Sequence, residues 1–363
     1  MAKANPSRHE SRPASQGNAA APQPASPLQR YRSQVEGALR RSFEPLADPL
    51  YDLLRYHLGW TDPHGQPAPP GVTGKALRPA LCLWACEAVG GEVSQALPAA
   101  VGLELLHDFS LIHDDIQDQD RERHHRPTVW ALWGQARALI AGDALRILAE
   151  QALLAQEGHH PPLPHLLRAA DLFARRCQEM IEGQYLDVAF EERLDVTTED
   201  YLHMVGKKTG ALFAGAMELG ALLGGGNQAV VAAFGQCGRL LGTLYQVQDD
   251  VLGIWGPAEA TGKGPGSDIR RKKKTFPIVY ALEHAPPTVT TALRHLYQQP
   301  TLNDTQAVQV VKLLEGAGVR RKAQEAAAEM GHRSRKPVSQ LGLASRYLRE
   351  YEELVRSLLE RQS

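Results

Sequence analysis

The spacing of apolar residues limits the possible folds of this chain more than any other feature of its sequence. From Leu28 onward, apolar side chains recur every three and four positions, which is the period of an amphipathic α-helix. The pattern extends over these segments: 76–90, 97–120, 126–155, 163–190, 197–225, 227–255 and 274–285. We find neither alternating strand patterns with hairpin signals nor a solenoid repeat. We therefore predict an all-α fold with a single domain, residues 28–363, whose helices pack around a central core.

Residues 1–27 have a different composition. They are mostly Ala, Pro, Ser and Gln, with scattered charge and no hydrophobic period. Such a segment buries too little apolar surface to offset its loss of entropy on ordering, so we predict a disordered tail. Arg8, Arg12 and the serines would also suit a transit peptide, whereas Glu10 and the prolines count against one.

The bulk composition excludes several functional classes. Hydrophobic residues make up 43% and charged residues 22% of the 363 positions, an ordinary globular balance. The net charge of −1 provides no field for nucleic acid or anionic membranes. No apolar run reaches the roughly 18 residues that a membrane span needs. The four cysteines form no CxxC pair and no secretory signal is present, which predicts reduced thiols in a cytoplasmic protein. For Cys82 and Cys86, we favour buried packing over metal binding.

An apolar run leads into a cluster of carboxylates in the stretch HDFSLIHDDIQDQDRERHHRPTVW, residues 107–130. On a helix, Asp114 and Asp118 share a face, with Asp115 about 100° round the axis. Carboxylates that converge at the end of a buried helix repel one another unless a cation lies between them. Oxygen ligands without a nearby cysteine favour Mg²⁺.

A second apolar helix carries a partial copy of this motif, YQVQDDVLGIW at 245–255, with Asp249 and Asp250. The separation of 249 − 114 = 135 residues allows this helix to return and face the first. Two carboxylate clusters across one cavity would hold a small Mg²⁺ cluster and a polyphosphate between them. A solvated acidic face could explain either motif alone, but it explains poorly two motifs that each follow an apolar run.

Basic residues indicate where anions would bind. The stretch GVTGKALRPAL places Lys75 and Arg78 at positions i and i+3 of an opening helix, after a Gly-rich turn that suits anions. His107 lies two turns before Asp114 on the same stripe. Any one of the lysines could be a solvated surface group, but together with two acidic clusters they favour two anion sites. Further cationic candidates are Arg123, Lys208, Lys263 and Lys273.

From about residue 30 to its end, the chain resembles the trans-type isoprenyl diphosphate synthases, in particular the geranylgeranyl and farnesyl diphosphate synthases. The two aspartate-rich motifs appear as DDIQDQDRERHHRPT and DDVLG, and GKALRP resembles the Gly-Lys-x-x-Arg-Pro element of the family. Other stretches follow in the family's order: GQYLD at 183, KTGAL at 208, YQVQDD at 245, GKGPGSD at 262 and KKTFP at 273. The resemblance implies the isoprenoid synthase type I fold, with a deep central cavity, and a homodimer.

The resemblance also implies a reaction, in which an allylic diphosphate ionises, condenses with isopentenyl diphosphate and loses a proton. About three Mg²⁺ ions would hold the allylic diphosphate. The implied metal ligands are Asp114, Asp115, Asp118 and Asp249. Asp250 would lie close by and support the metal site. The implied cations at the diphosphates are Arg123, Lys208, Lys263 and Lys273 beside the metals, and Lys75, Arg78 and His107 at isopentenyl diphosphate. Dipoles of Thr209 and Gln246 would lie near the allylic cation.

The sequence departs from the family pattern at two positions. His124 stands where the family has a second Arg after Arg123, and His lacks the permanent bidentate fork of Arg. We therefore expect weaker binding of isopentenyl diphosphate, with a further loss as the pH rises past a histidine pKa of about 6.5. Gly253 stands at the last aspartate of the second motif, where the metal contact is often indirect, so we expect a smaller effect there.

Two residues bear on product length. In this family, the fourth and fifth residues before the first aspartate help to form the cavity floor, and here these are Ser110 and Phe109. Ser110 is small and on the Asp114 stripe, so the cavity should continue past it. Phe109 lies about 7.5 Å along the helix axis from Asp114, and its role as a floor follows from the resemblance. It favours the twenty-carbon geranylgeranyl diphosphate over farnesyl diphosphate, unless Phe109 is simply a core residue.

Two other functions remain open. A class I terpene cyclase also ionises an allylic diphosphate at a DDxxD motif. However, it needs no site for isopentenyl diphosphate, and its second metal motif carries Asn, Ser or Thr, and Glu, unlike DDVLGIWGP. A non-catalytic regulatory homologue tends to lose its aspartates, whereas those of this chain are mostly intact. We therefore favour the synthase.

Overall fold

The computed structural model describes residues 27–69, 76–155, 161–256 and 267–361. The first half comprises a 3-10 helix, Pro27–Tyr31, followed by α1 Arg32–Phe43, α2 Leu50–His57, α3 Leu77–Ala88, α4 Val93–Gln117, α5 Val129–Trp133, α6 Gln135–Leu154 and α7 Leu163–Phe190. The second half comprises α8 Thr198–Lys208, α9 Gly210–Leu223, α10 Gln228–Trp255, α11 Ser267–Arg270, α12 Phe276–His284, α13 Pro287–Tyr297, α14 Asp304–Gly316, α15 Val319–Ser339 and α16 Ser345–Leu359. The predicted all-α class is confirmed. The predicted tail, apart from Pro27, and the candidates Lys75 and Lys263 lie outside the described residues.

Helix α9 forms the centre of the bundle, because every one of its residues is buried. It packs against α3, α7 and α10, while α4 packs against α3, α6 and α9. Small residues allow these close approaches. A Cβ atom on Gly220 of α9 would collide with the carbonyl oxygen of Cys82 on α3, and one on Gly238 of α10 would collide with that of Phe213. The helices that carry the two acidic motifs, α4 and α10, are therefore fixed on a common rigid core.

A second, smaller hydrophobic cluster forms around α11 to α14, where Ile278, Leu293 and Val310 are fully buried. Trp255, at the end of α10, packs against both hydrophobic clusters. Because burial of one such side chain contributes roughly 1.5–3 kcal/mol, this cluster holds the segment between α11 and α12 in place. That segment carries the predicted site residue Lys273.

Two predicted helical segments are interrupted in the structure. The segment 126–155 is divided by Gly134, whose φ of 86° lies in the left-handed region that favours glycine. The segment 197–225 is divided at Thr209, which ends α8 and precedes α9. Hydrophobic periodicity continues across both positions, so it did not predict either interruption.

A short hairpin follows α4, although no strand was predicted there. Strand β1, Glu122–Arg123, pairs with the antiparallel strand β2, Arg126–Pro127. The two tip residues, His124 and His125, have φ values of 51° and 59°. Two-residue hairpins with positive φ at both positions usually carry Asn-Gly, so the His-His pair gave no turn signal. A left-handed backbone is strained by about 1–2 kcal/mol at a residue of this type.

Among the helices of the described ranges, none is long and apolar enough to cross a membrane. The four cysteines are buried and free. The Sγ atoms of Cys82 and Cys86 lie 3.9 and 3.2 Å from backbone carbonyl oxygens, and burial raises the pKa of both thiols. These contacts agree with the packing role that the sequence favoured.

Candidate active site

A cavity of about 1120 Å³ opens between the helices that carry the two acidic motifs. Most of the predicted site residues line it: Arg78, His107, Phe109, Ser110, Asp114, Arg123, His124, Lys208, Thr209, Gln246, Asp249, Asp250 and Lys273. Asp115 and Asp118 are buried behind this wall. The structure therefore brings together residues that are separated by more than half of the chain.

Asp114 projects from the last turns of α4 into a ring of donors. Its Oδ1 atom accepts hydrogen bonds from Lys208 Nζ at 3.0 Å and from Gln184 Nε2 at 2.9 Å. Lys208 also donates to Asp187 at 2.6 Å. Burial disfavours the charge on Asp114, but Lys208, Lys273 and Arg123 outweigh it and hold the pKa of Asp114 well below its usual range. Asp114 is thus a carboxylate, and Lys208 an ammonium, throughout the physiological pH range.

Asp115 and Asp118 pair with different cations. Arg123 donates from Nε at 2.9 Å and from Nη2 at 2.7 Å to Oδ1 of Asp115. Lys273 pairs with Oδ2 of Asp118, and Arg271 lies 3.2 Å from Oδ1 of the same group. Burial raises the pKa of both carboxyl groups, in opposition to these cations. A metal ion that binds Asp118 therefore competes with two basic side chains, whereas at Asp115 Arg123 donates to Oδ1 alone.

The two aspartates of the second motif have different surroundings. Asp250 is buried and accepts hydrogen bonds from the Tyr201 hydroxyl, the Phe276 amide and Gln246 Nε2. Burial is the largest influence on it and raises its pKa to about 7, although these donors act in the opposite direction. The side chain of Asp249 is 47% exposed and lies 3.2 Å from Arg361. Asp249 is therefore the member of this pair that is accessible to a ligand.

Thr209 and Gln246 form a polar pair at the break between α8 and α9. The Thr209 hydroxyl donates to Gln246 Oε1 at 2.9 Å, and Gln246 Nε2 donates to Asp250 at 3.0 Å. This chain of bonds links the break to α10, so both side chains have a fixed position on the cavity wall.

Three residues predicted to bind isopentenyl diphosphate, Arg78, His107 and His124, line the same cavity. The Arg78 guanidinium stacks over the Phe213 ring at 5.0 Å. Burial, with Arg78 and Arg123 nearby, lowers the pKa of His107 far below its usual value. Burial also lowers the pKa of His124, and the nearby Arg123 and His57 lower it further. The expected titration of His124 near pH 6.5 therefore moves to lower pH, and His124 is neutral at pH 7.

Five residues that line the cavity or pair with its acidic groups received no role from the sequence. Gln184 and Asp187 belong to the quoted GQYLD stretch and contact the Asp114–Lys208 pair. Asp268 belongs to GKGPGSD, and its Oδ2 lies 3.1 Å from where a Cβ on Gly253 would be. The sequence contained a signal for these three. The other two are Arg271, within the basic stretch RRKKK at 270–274, and Arg361, which gave no local signal.

Phe109 lines the cavity with a side chain that is almost fully buried. The ring of Phe109 meets the ring of His113 edge-on, with centroids 4.9 Å apart. His113 lies against Gly142 of α6, where a Cβ would collide with the imidazole. Met180 and Ile181 of α7 contribute an apolar wall. Ser110 also lines the cavity, which agrees with the predicted continuation past this small residue.

The donor set suits Mg²⁺ without forming a ready-made cage. In the part of the chain that the structure describes, no three His, Cys, Asp or Glu side chains converge as a metal site. Asp114 and Asp249 nevertheless present carboxylate oxygens to one cavity. Mg²⁺ is usually held by one or two carboxylates and completes its shell with water and substrate phosphate. The residues therefore fit an ion that enters together with a diphosphate.

Comparisons with known proteins agree with this geometry. Residues 70–314 match the family model for polyprenyl synthetase. The chain is 39% identical over 332 residues to a (2E,6E)-farnesyl diphosphate synthase of Mycobacterium tuberculosis, with 91% of each chain covered. It is 37% identical over 294 residues to a geranylgeranyl diphosphate synthase of the same organism, covering 80% of this chain and 82% of that one. A crystal structure of polyprenyl synthetase from Streptomyces coelicolor A3(2) superposes with a TM-score of 0.83 at 34% identity, covering 91% and 98%.

Proposed function

Since the chain belongs to the polyprenyl synthetase family, we propose that it condenses isopentenyl diphosphate with an allylic diphosphate to make an all-trans prenyl diphosphate, chiefly the twenty-carbon geranylgeranyl diphosphate. The observation that carries this proposal is the placement of Asp114, Lys208 and Asp249 on one cavity that continues past Ser110 to Phe109. A direct test is to mix the purified protein with Mg²⁺, isopentenyl diphosphate and an allylic primer, and to measure the release of diphosphate. Release that requires both substrates supports the proposal, and no release contradicts it.

The reaction begins at the allylic diphosphate. Asp114, Asp115, Asp118 and Asp249 would hold about three Mg²⁺ ions, which when bound polarise the leaving diphosphate. As the C–O bond breaks, negative charge develops on the diphosphate, and Lys208, Lys273 and Arg123 stabilise it. These cations already lie among the carboxylates. With the carboxylates engaged by metal, these cations would be free to contact the substrate diphosphate.

The second substrate then captures the allylic cation. Arg78 and His107, with Lys75, bind the diphosphate of isopentenyl diphosphate and direct its double bond at the cation. The oxygen atoms of Thr209 and Gln246 lie near the cation and stabilise it, while the apolar wall excludes water. A new C–C bond forms, and a proton is lost to the departed diphosphate. The product is five carbons longer than the primer.

Asp268 supplies the carboxylate that the second motif lacks at Gly253. The support for this assignment is the position of Asp268 Oδ2, 3.1 Å from the place that a Cβ on Gly253 would occupy. Asp268 also lines the cavity. Because the missing side chain leaves room for the carboxylate of Asp268 from α11, the departure at 253 has little effect on the reaction.

The product assignment rests on Phe109. The similar proteins from Mycobacterium tuberculosis include both a farnesyl and a geranylgeranyl diphosphate synthase, so similarity alone gives no preference. Phe109 and Ser110 both line the cavity, and we take the ring of Phe109 as its floor, with small Ser110 leaving room for the chain. This combination favours twenty carbons over fifteen.

The catalytic domain, residues 28–363, acts as a homodimer. Exposed apolar side chains recur at seven-residue spacing on α6 at Ile140, Ile147 and Leu154, and seven residues return to the same helix face. The adjacent helix α7 also exposes the apolar side chains of Leu163 and Leu167. Exposed apolar side chains on two neighbouring helices are typical of an interface. The buried, free thiols suit the reducing cytoplasm.

Replacement of Ile147 by Lys is expected to convert the dimer to a monomer, because it places a charge at the centre of the apolar stripe. Light scattering after size-exclusion chromatography measures the mass directly. Val308→Lys is the matched control, since Val308 is an equally exposed apolar residue on α14. A wild-type mass equal to one chain, or an Ile147→Lys variant that remains a dimer, would contradict this interface.

Replacement of His124 by Arg is expected to lower KM for isopentenyl diphosphate roughly tenfold at pH 8, since a permanent cation adds a charge-assisted hydrogen bond. The pKa of His124 in the free protein lies below 6.5, and an anionic diphosphate raises it on binding. The wild-type KM should therefore increase with pH between the His124 pKa of the free protein and the higher His124 pKa of the complex. Above the second pKa it should level off. His124→Gln should give a pH-independent KM close to the wild-type value at high pH. A wild-type KM that is constant from pH 5 to 8 would exclude the role of His124.

A further inference from the structure

Arg271 bridges two acidic residues, Asp118 and Asp120, that lie just beyond the end of α4. Its Nη2 atom lies 3.2 Å from Asp118 Oδ1, and its Nη1 atom donates to Asp120 Oδ1. The side chain of Asp118 is only 2% exposed, so Arg271 reaches a carboxylate that solvent barely contacts. The guanidinium thus spans a proposed metal ligand and a neighbour that has no proposed role in metal binding.

The two ends of this bridge are fixed by separate contacts. The backbone carbonyl of Asp120 accepts hydrogen bonds from Thr128 Oγ1 at 2.8 Å and from Trp130 Nε1 at 2.7 Å. On the other side, the amide of Lys273 donates to the carbonyl of Asp268 at 2.9 Å, which closes the turn that follows α11. Arg271 therefore connects two rigid segments.

Both oxygens of Asp118 are occupied by cations, Oδ1 by Arg271 and Oδ2 by Lys273. A metal ion can bind this carboxylate only if these cations withdraw. Lys273 can move to the substrate diphosphate, because it lines the cavity. Arg271 already has a second partner in Asp120, to which it can transfer its remaining hydrogen bonds.

We propose that Arg271 is a positioning residue that competes with the divalent metal for Asp118 and is retained by Asp120 when the metal binds. The competition sets the metal concentration at which the site fills and keeps Asp118 neutralised until then. This inference rests on the proposed role of Asp118 as a metal ligand.

The test measures metal binding rather than activity. Mn²⁺ prefers the same oxygen ligands as Mg²⁺, and its free concentration can be followed by electron paramagnetic resonance with an unreactive S-thiolo analogue of the allylic diphosphate bound, because the ion is expected to enter together with a diphosphate. Arg271→Gln should bind Mn²⁺ about three- to tenfold more tightly than wild type, because the competitor is gone. Asp120→Asn should bind it more weakly, because Arg271 then has only Asp118. The Mn²⁺ affinity of the double variant should match that of Arg271→Gln. If the two substitutions acted only through their separate charges, their effects on Mn²⁺ affinity would add instead.

Arg270→Gln is the matched control, since it removes the same charge one residue away, where Arg270 pairs with Asp304 at the surface. Its Mn²⁺ affinity should equal that of wild type. Unchanged or weaker binding by Arg271→Gln would overturn the inference and leave the proposed function intact, and it is also what a merely structural role for Arg271 would produce. A wild-type protein that binds no Mn²⁺ would overturn both.

Discussion

Replacement of Asp114 by Asn is expected to lower kcat of the condensation by about three orders of magnitude, or about 4 kcal/mol of transition-state stabilisation. The amide keeps the shape of the side chain but removes the charge that meets Lys208 at 3.0 Å and faces the cavity. It cannot serve as an anionic metal ligand. Lys208 keeps Asp187 as a partner, so the fold should survive. Steady-state kinetics at saturating Mg²⁺, together with a thermal melting curve, separates the two effects.

Asp195→Asn is the matched control for this variant. Asp195 has a side chain that is 76% exposed, pairs only with Arg193 among the ion pairs of the described residues, and does not line the cavity. Its kcat should stay within about twofold of wild type, since exposed ion pairs contribute little. A loss of less than tenfold in Asp114→Asn would show that Asp114 is not a principal metal ligand.

Replacement of Phe109 by Ala is expected to shift the main product from twenty carbons to chains of twenty-five carbons or more. Removal of the ring opens the space between the cavity and the His113–Gly142 contact, so a longer chain can enter. The change also removes a buried aromatic side chain, which typically costs about 3–5 kcal/mol of stability. Mass analysis of the dephosphorylated prenyl alcohols gives the distribution of lengths.

Phe173→Ala controls for the loss of stability. Phe173 is a buried aromatic residue of α7 that packs against the backbone near Gly102 and does not line the cavity. This variant should lose a similar amount of stability but keep the wild-type product. An unchanged product distribution in Phe109→Ala would assign Phe109 to the hydrophobic core alone.

The sequence predicted the architecture well because helical periodicity and burial are local properties. The predicted helical segment 197–225 contains the fully buried helix α9, and the predicted bounds of α7 agree with the structure. The break at Thr209 and the hairpin tip at His124 were missed, because tertiary contacts impose them on residues without turn preferences. In each case the unpredicted feature places a polar side chain on the cavity.

The candidate site was predicted less completely, since ion pairing depends on residues that are distant in sequence. Helical geometry correctly placed Asp114 on the cavity, but it could not show that Asp118 would be covered by Lys273 and Arg271. The contact of Arg361 with Asp249 joins positions more than one hundred residues apart, and Arg361 belongs to none of the quoted motifs. Local sequence patterns indicated the candidate carboxylates and most of the cations, whereas the pairing of each cation with its carboxylate required the structure.

The most direct test of this account is a product assay with the wild-type protein. The protein would be incubated with Mg²⁺, isopentenyl diphosphate and each allylic primer from five to fifteen carbons, and the dephosphorylated products would be resolved by mass. We expect linear prenyl alcohols that lengthen in steps of five carbons and end mainly at twenty. Cyclic hydrocarbons formed without consumption of isopentenyl diphosphate would contradict the account and assign the cavity to a cyclase.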